Sequence, residues 1–421
     1  MRQPIILSTI RDYSLSTFAR DALAGFTVAM VAIPLSLAIA IASGAPPETG
    51  LVTAIVGGFL ISAFGGSRVQ IGGPTGAFIV VVYGVIAEHG FDGLVLATLM
   101  AGALLVIAGF FRAGRLIAYV PEAVINGFTI GIAIVIATSQ LKDFFGLSVD
   151  ALPAEFIEKT IALWEARASV NWAAVLAGLA TIVVIVGARR LFPRFPGLIV
   201  AIFAVSAAVS LLALPIETIA GRFGELQATL PAPSLPDFSW ARVVELFPSA
   251  IVIAFLAGVE SLLSCLVADR MIDDQHRPNA ELTAQGVANI GSALFAGLPA
   301  TGAIARTATN IRAGGLTPVA GMVHAVIVLA VMLFATPYAG MVAMPALAGL
   351  LIITSWNMSE PHKWREYARA RRSDQLLLVL TLLLTVFIDL TAAISVGVAV
   401  GLALRLSRRP TIPSDWTPPE R

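Results

Sequence analysis

Two ionisable residues stand in stretches that are otherwise apolar, and their types limit what chemistry the chain can do. Arg306 opens a short segment after Gly302-Ala303-Ile304-Ala305, and Glu260 lies midway through Ala257-Gly258-Val259-Glu260-Ser261-Leu262-Leu263-Ser264. A charged side chain inside an apolar span costs at least ~2.5 kcal/mol and normally faces a cavity or a partner. Arg306 therefore reads as a positive charge at an anion site, or more plainly as an arginine reaching for a membrane edge. Glu260 must be neutralised by a proton, a metal cation or Arg306. The first two make it a coupling site for H⁺ or Na⁺, with Ser264 one helical turn on as a further oxygen ligand. The third makes it half of a static ion pair, and the residues alone leave these alternatives open.

The segment that Arg306 opens follows a loop rich in Gly and Pro, Gly297-Leu298-Pro299-Ala300-Thr301-Gly302, and an earlier loop, Gly65-Gly66-Ser67-Arg68-Val69-Gln70-Ile71-Gly72-Gly73-Pro74, precedes a second short segment. A helix that begins at mid-membrane turns its first N–H groups and the positive end of its dipole into the protein interior. Two such starts make an anion site without side-chain charge. The candidates are Pro74, Thr75, Gly76 and Ala77 on one side and Gly302, Ala303, Ile304 and Ala305 on the other. Pro at a helix start and small residues around it let a ligand reach the backbone. The plainer reading is a pair of kinks in spanning helices. Ser36, after Pro34, could line the same cavity, although a buried Ser usually bonds back to its own helix. No nucleotide-binding loop, His-Glu-x-x-His or spaced Ser/His/Asp set is present, so nothing argues for an enzyme. No cofactor is implied, nor any metal beyond a Na⁺ at Glu260.

The elements that must hold these residues are read from composition. Of 421 residues, 57% are hydrophobic and 13% charged, and the mean hydropathy is +0.88. Soluble domains carry roughly 25% charged residues. Apolar blocks long enough to cross the bilayer as helices, without barrel-like alternation, predict an all-α polytopic membrane protein. Fourteen segments are expected near 21–40, 49–64, 75–88, 92–110, 121–138, 171–189, 196–214, 247–266, 281–297, 304–312, 317–336, 340–355, 374–389 and 391–405. The third and tenth are too short to span. Each is the third of its seven, which predicts two inverted halves with a binding site at the broken helices. With both termini cytoplasmic, only Lys142, Lys159, Arg167, Arg222 and Arg242 fall in outside loops; apart from Arg306, the rest of the 27 Lys and Arg fall inside. That bias supports both orientation and parity. Residues 141–170 fit an amphipathic interfacial helix, and the Pro-rich stretch 215–246 an extended cover. The start, residues 1–20, lacks a signal peptide's apolar core, so the first block is expected to persist. Net charge is +1, which gives no case for nucleic acid, and the single cysteine, Cys265, allows no intramolecular disulfide.

The chain resembles the sulfate permease (SulP) family of anion transporters and exchangers. The resemblance is carried by Asp21-Ala22-Leu23-Ala24-Gly25-Phe26-Thr27-Val28 leading to Ile33-Pro34, and by Ala45-Pro46-Pro47-Glu48-Thr49-Gly50-Leu51. It continues in Gly65-Gly66-Ser67-Arg68, Gly72-Gly73-Pro74-Thr75, Gly302-Ala303-Ile304-Ala305-Arg306-Thr307-Ala308 and Gly314-Gly315-Leu316-Thr317 with Gly321. It implies a UraA-like fold of 14 spans in a 7+7 inverted repeat. The core domain would comprise residues 21–115 and 247–338, and the gate domain residues 116–214 and 339–405. They are preceded by the cytoplasmic segment 1–20, separated by the loop 215–246 and followed by the tail 406–421. The substrate is then expected between half-helices 3 and 10, with the core moving as an elevator against the gate. Family site positions map onto Leu35, Ile39, Thr75, Ala305 and Arg306, joined here by the residue-based candidates Ser36, Gly76 and Ala303. The family's cation-site positions map onto Glu260 and Ser264. A homodimer in a bacterial inner membrane is also implied. Relatives usually carry a cytoplasmic STAS domain after the last span; this chain stops at that junction, which favours a piece of a longer protein. Leu35 stands where many relatives have Gln, which leaves room for an organic carboxylate beside inorganic oxyanions and bicarbonate. A nucleobase:cation symporter of the same fold is the alternative, but it would favour acidic side chains in both spans 8 and 10.

Overall fold

A computed structural model gives the structure of residues 3–9, 13–115, 121–149, 152–191, 197–388, 393, 396–401 and 403. The longer helices, in chain order, begin with α1 (Leu15–Ala42), α2 (Pro47–Phe64), α3 (Gly76–Phe110), α4 (Glu122–Phe145), α5 (Phe156–Glu165), α6 (Trp172–Leu191) and α7 (Gly197–Leu211). There follow α8 (Trp240–Ile272), α9 (Pro278–Leu294), α10 (Ile304–Arg312), α11 (Val319–Phe334), α12 (Met344–Met358), α13 (Trp364–Arg369) and α14 (Arg372–Phe387). Among the described residues, α1–α4, α6 and α8 are the six long and apolar enough to cross a membrane. A helix is what such a sequence must form in lipid, because every backbone N–H and C=O has to be met within the segment.

The expected third and fourth segments are two helices that meet across a kink at Gly90 (φ 70°, ψ 179°), carried here under the single label α3. Glycine takes that conformation without the strain that a Cβ would bring. Of the expected fourteenth segment, 391–405, residues 393, 396–401 and 403 are described and helical, and the tail 406–421 lies wholly outside the described residues. In α2, residues Thr53–Gly57 form a π-helical turn. There the Thr53 hydroxyl donates to Thr49 O (2.8 Å) and accepts from Leu298 N (2.6 Å), tying the helix to the second Gly/Pro loop.

Small residues set how closely the spans approach. Gly102 of α3 and Gly286 of α9 meet where a Cβ on either would lie 2.7 and 2.6 Å from the other's carbonyl oxygen. Any side chain there must push the helices apart. Outside the spans, α5 turns Lys159 and Leu163 inward and exposes Ile157, Ile161 and Trp164, as an interfacial helix would. After a short helix at Ile219–Phe223 the cover runs without regular structure to Ser239, with Ser234 N donating to Leu294 O (2.8 Å).

Asp21, fully buried in α1, fastens α11 to it. Its carboxylate accepts from Leu316 N (2.7 Å), Thr317 N (3.2 Å), the Thr317 hydroxyl (2.5 Å) and the Tyr13 hydroxyl (3.1 Å). Burial, and then Asp21, push the Tyr13 phenol up to about 12, so it remains a donor. Asp21→Ala leaves these donors without an acceptor, which costs about 1–3 kcal/mol for each buried group left unpaired. The expected result is a lower unfolding temperature for the purified protein in detergent; an unchanged midpoint would refute the brace.

Candidate functional site

The two Gly/Pro loops meet as a two-stranded antiparallel ladder, β1 (Gly72–Gly73) with β2 (Thr301–Gly302), in the register Gly72↔Gly302 and Gly73↔Thr301. Each strand leads into one of the short segments, so α3 and α10 leave the ladder in opposite directions. A ladder this short does not hold itself, and side chains pin it. Ser261 Oγ accepts from Gly302 N (2.8 Å), and the Thr301 hydroxyl donates to Ala257 O (3.0 Å), both on α8. Asn289 of α9 clamps Ala300 twice, donating to its carbonyl (2.8 Å) and accepting from its amide (2.9 Å). Thr307 accepts from Ile71 N (3.1 Å), and Asn310 donates to Val69 O (2.8 Å).

Helix starts carry amides with no partner inside the helix, and these are normally met by a capping oxygen. Here neither start is capped. Ala303, in the cap position of α10, has no side-chain oxygen. Thr75, in the cap position before Gly76, makes no capping bond, and its hydroxyl is turned to donate to Glu260 Oε2 (2.8 Å). Among the described residues the amides of Gly76, Ala77, Ile304 and Ala305 have no acceptor. Ile304 and Ala305 are exposed, whereas Thr75, Gly76, Ala77 and Ala303 are buried. Gly76 lies against α12, where a Cβ would come 3.0 Å from Met358 Sδ.

Thr75 thus brings the expected coupling residue to the expected anion position. Glu260 is partly exposed and borders a cavity of about 50 Å³ whose other walls are apolar, including Ala77, Phe128, Phe255 and Leu263. That space admits a water or a bare cation. Ser264, expected beside Glu260, donates to Thr307 (3.3 Å) and is not joined to the carboxylate.

Arg306 is 1% exposed and lies beneath the ladder. Its Nη2 donates to Ser36 Oγ (3.1 Å), while Nε and Nη1 have no partner. A Cβ on Gly73 would lie 2.2 Å from Nη1, which places the guanidinium directly behind β1. Among the described residues no ion pair joins Arg306 to Glu260 or to any other carboxylate. The positive charge therefore stands behind the helix starts without a contact ion pair, with Glu260 near enough to act on it through space. Of the other candidates on α1, Leu35 is partly exposed and Ile39 is fully buried in the core. His324 of α11 is also fully buried, with no partner on either ring nitrogen.

Sequence reasoning passed over the residues that hold the ladder. Glu281, Gln285, Asn289 and Ser292 recur at helical spacing along α9 and are all fully buried. Glu281 accepts from Gly66 N (2.9 Å) and Gln70 Nε2 (3.1 Å), and Ser292 donates to Leu298 O (2.6 Å). A polar stripe inside an apolar segment was the available signal. No group of three or more His, Cys, Asp or Glu able to hold a metal occurs among the described residues.

The sequence profile of the sulfate permease family matches residues 18–381. YvdB of Bacillus subtilis is 42% identical over 373 residues, covering 88% of this chain and 70% of that one. The bicarbonate transporter BicA of Picosynechococcus is 32% identical over 341 residues, covering 78% of this chain and 60% of that one. The chain thus spans 70% and 60% of the lengths of these two relatives. The solved transmembrane domain of a cyanobacterium bicarbonate transporter BicA superposes with a TM-score of 0.80 at 29% identity, covering 93% of this chain and 98% of that one. SLC26A9 shares the fold, with a TM-score of 0.88 at 19% identity over 96% of this chain and 68% of that one.

Proposed function

This chain belongs to the sulfate permease family, and we propose that it is a secondary active transporter of a small anion, either an inorganic oxyanion, bicarbonate or a dicarboxylate. One observation carries the reading: two uncapped helix starts joined by a ladder, over a buried arginine whose Nε and Nη1 have no partner among the described residues. The anion accepts hydrogen bonds from the amides of Gly76, Ala77, Ile304 and Ala305, where the helix dipoles favour negative charge. Arg306 adds its charge from behind, in a medium of low dielectric where it acts at full strength. Leu35, Ser36, Ile39 and Ala303 shape the surroundings.

Glu260 sets the coupling. A carboxylate one hydrogen bond from Thr75 repels an incoming anion. Loading Glu260 with H⁺ or Na⁺ removes that repulsion, so anion and cation bind together. Residues 21–115 and 247–338 form the core that carries the site. Residues 116–214 and 339–405 form the gate, and the whole is a 14-span, 7+7 inverted repeat working as an elevator. The protein acts as a homodimer in the bacterial inner membrane, with both termini cytoplasmic.

The test is uptake into proteoliposomes of labelled sulfate, bicarbonate, chloride, fumarate and uracil, with and without inward H⁺ or Na⁺ gradients. One anion is expected to accumulate under a gradient. In Arg306→Ala its apparent affinity is expected to fall ~10–100-fold, the equivalent of a lost charge-assisted contact of about 1.5–3 kcal/mol. Uptake of uracil alone would assign the chain to the nucleobase symporters instead.

A further inference from the structure

A second cavity, of about 800 Å³, opens away from the ladder and is lined by Tyr83 of α3, Gln140 and Asp143 of α4, Lys159 of α5 and Arg222 of the cover. Lys142, Lys159 and Arg222 are the cations that line it, and the last two are held very differently. Arg222 is bound by Asp143 (2.6 Å) and by Glu217. Burial works against its charge, yet these two carboxylates hold its pKa above the ordinary arginine value. Lys159 is 4% exposed, and its ammonium lies 5.2 Å from the centre of the Tyr83 ring. Among the described residues it has neither a hydrogen bond nor an ion pair.

Three carboxylates line the cavity among the described residues, Glu88, Asp143 and Glu155, and none of them forms an ion pair with Lys159. Asp143 belongs to Arg222, and Glu88 lies 3.6 Å from His89. Glu155, one turn before Lys159, also lines the cavity but is exposed to solvent. Lysine is almost never this buried without a counter-charge. A ring face supplies attraction but accepts none of the three N–H bonds in the way an oxyanion does. Burial accordingly pushes the Lys159 pKa down.

We propose that Lys159, seated on Tyr83, is an outer binding site for a small anion in this cavity, where the transported ion is captured before it reaches the ladder. The location and charge of the site stand on the cavity itself; only the identity of its ligand with the transported ion rests on the function proposed above. The Tyr83 hydroxyl donates to Leu152 O (2.5 Å), which fixes the ring under the ammonium.

Two measurements decide it. The first is mass-spectrometric labelling of Lys159 in the intact protein with a small amine-reactive reagent. Labelling is expected in gluconate and suppression in sulfate or bicarbonate at equal ionic strength. Equal labelling in all three, or no labelling in any, would overturn the site. The second is uptake by Lys159→Met, which keeps the aliphatic bulk, and by Lys159→Arg, which keeps the charge. Lys159→Met is expected to raise the half-saturating concentration about tenfold from the outer side only, with an unchanged maximal rate; Lys159→Arg stays near the parent. An unchanged half-saturation, or an equal loss of maximal rate in both directions, would mark Lys159 as a brace and sink the proposal. Protection of Lys159 in a protein that transports none of the anions would leave the site standing and remove the transport reading.

Discussion

Replacing Glu260 by Gln is expected to abolish gradient-driven accumulation while leaving anion binding close to that of the parent. The amide oxygen of Gln still accepts from the Thr75 hydroxyl, which now donates across 2.8 Å to Glu260 Oε2, so the start of α3 keeps its place. What disappears is the ionisable group. The variant is permanently in the uncharged form that a proton would otherwise confer, so anion binding no longer waits on a cation. Uptake with a gradient should fall to the level seen without one. Uptake in paired vesicles, with and without H⁺ or Na⁺ gradients, reads this directly alongside equilibrium binding of the same anion. If the Gln variant still concentrates the anion, coupling does not pass through Glu260.

The second large effect is expected at Gly73. A Cβ there would lie 2.2 Å from Arg306 Nη1, at a residue whose φ of 151° already favours glycine. Gly73→Ala must therefore displace the guanidinium or distort β1. The first moves the positive charge away from the helix starts; the second breaks the register with Thr301. A loss of about 1–3 kcal/mol in stability is expected, with transport reduced at least ~tenfold. Adding Arg306→Ala removes the obstruction. The double variant should unfold at a higher temperature than Gly73→Ala alone, yet transport no better. A purely additive result would mean the two residues are not in steric conflict.

These expectations separate what could be read from the chain from what could not. Glycine and proline punctuate it where helices stop, and for that reason the starts at Gly76 and Ile304 were legible. So was the singularity of Glu260 and Arg306, since charge in an apolar run is rare enough to be informative. Pairings were not legible. Thr75 and Glu260 are 185 positions apart, and nothing in either neighbourhood says that a threonine placed to cap its helix will serve a distant carboxylate. A ladder of two residues is too short to show alternation. Arg306 reads as a residue lining the site, whereas its neighbours Gly73 and Ser36 hold it behind the strand. The break between the expected third and fourth segments was legible too, since Gly90 lies in the hydropathy dip between them and its backbone is non-helical. The π-helical turn at Thr53–Gly57 has no hydropathy signature at all.

The clamping of the ladder by Ser261, Asn289, Thr307 and Asn310 has a kinetic meaning. Groups already frozen in place lose no conformational freedom when a guest arrives. Recognition is then selective at no ordering cost, because a stiff frame neither shrinks around a smaller ion nor stretches for a larger one. In the transport cycle proposed above, throughput would then be limited by the travel of the core against the gate rather than by release of the ion.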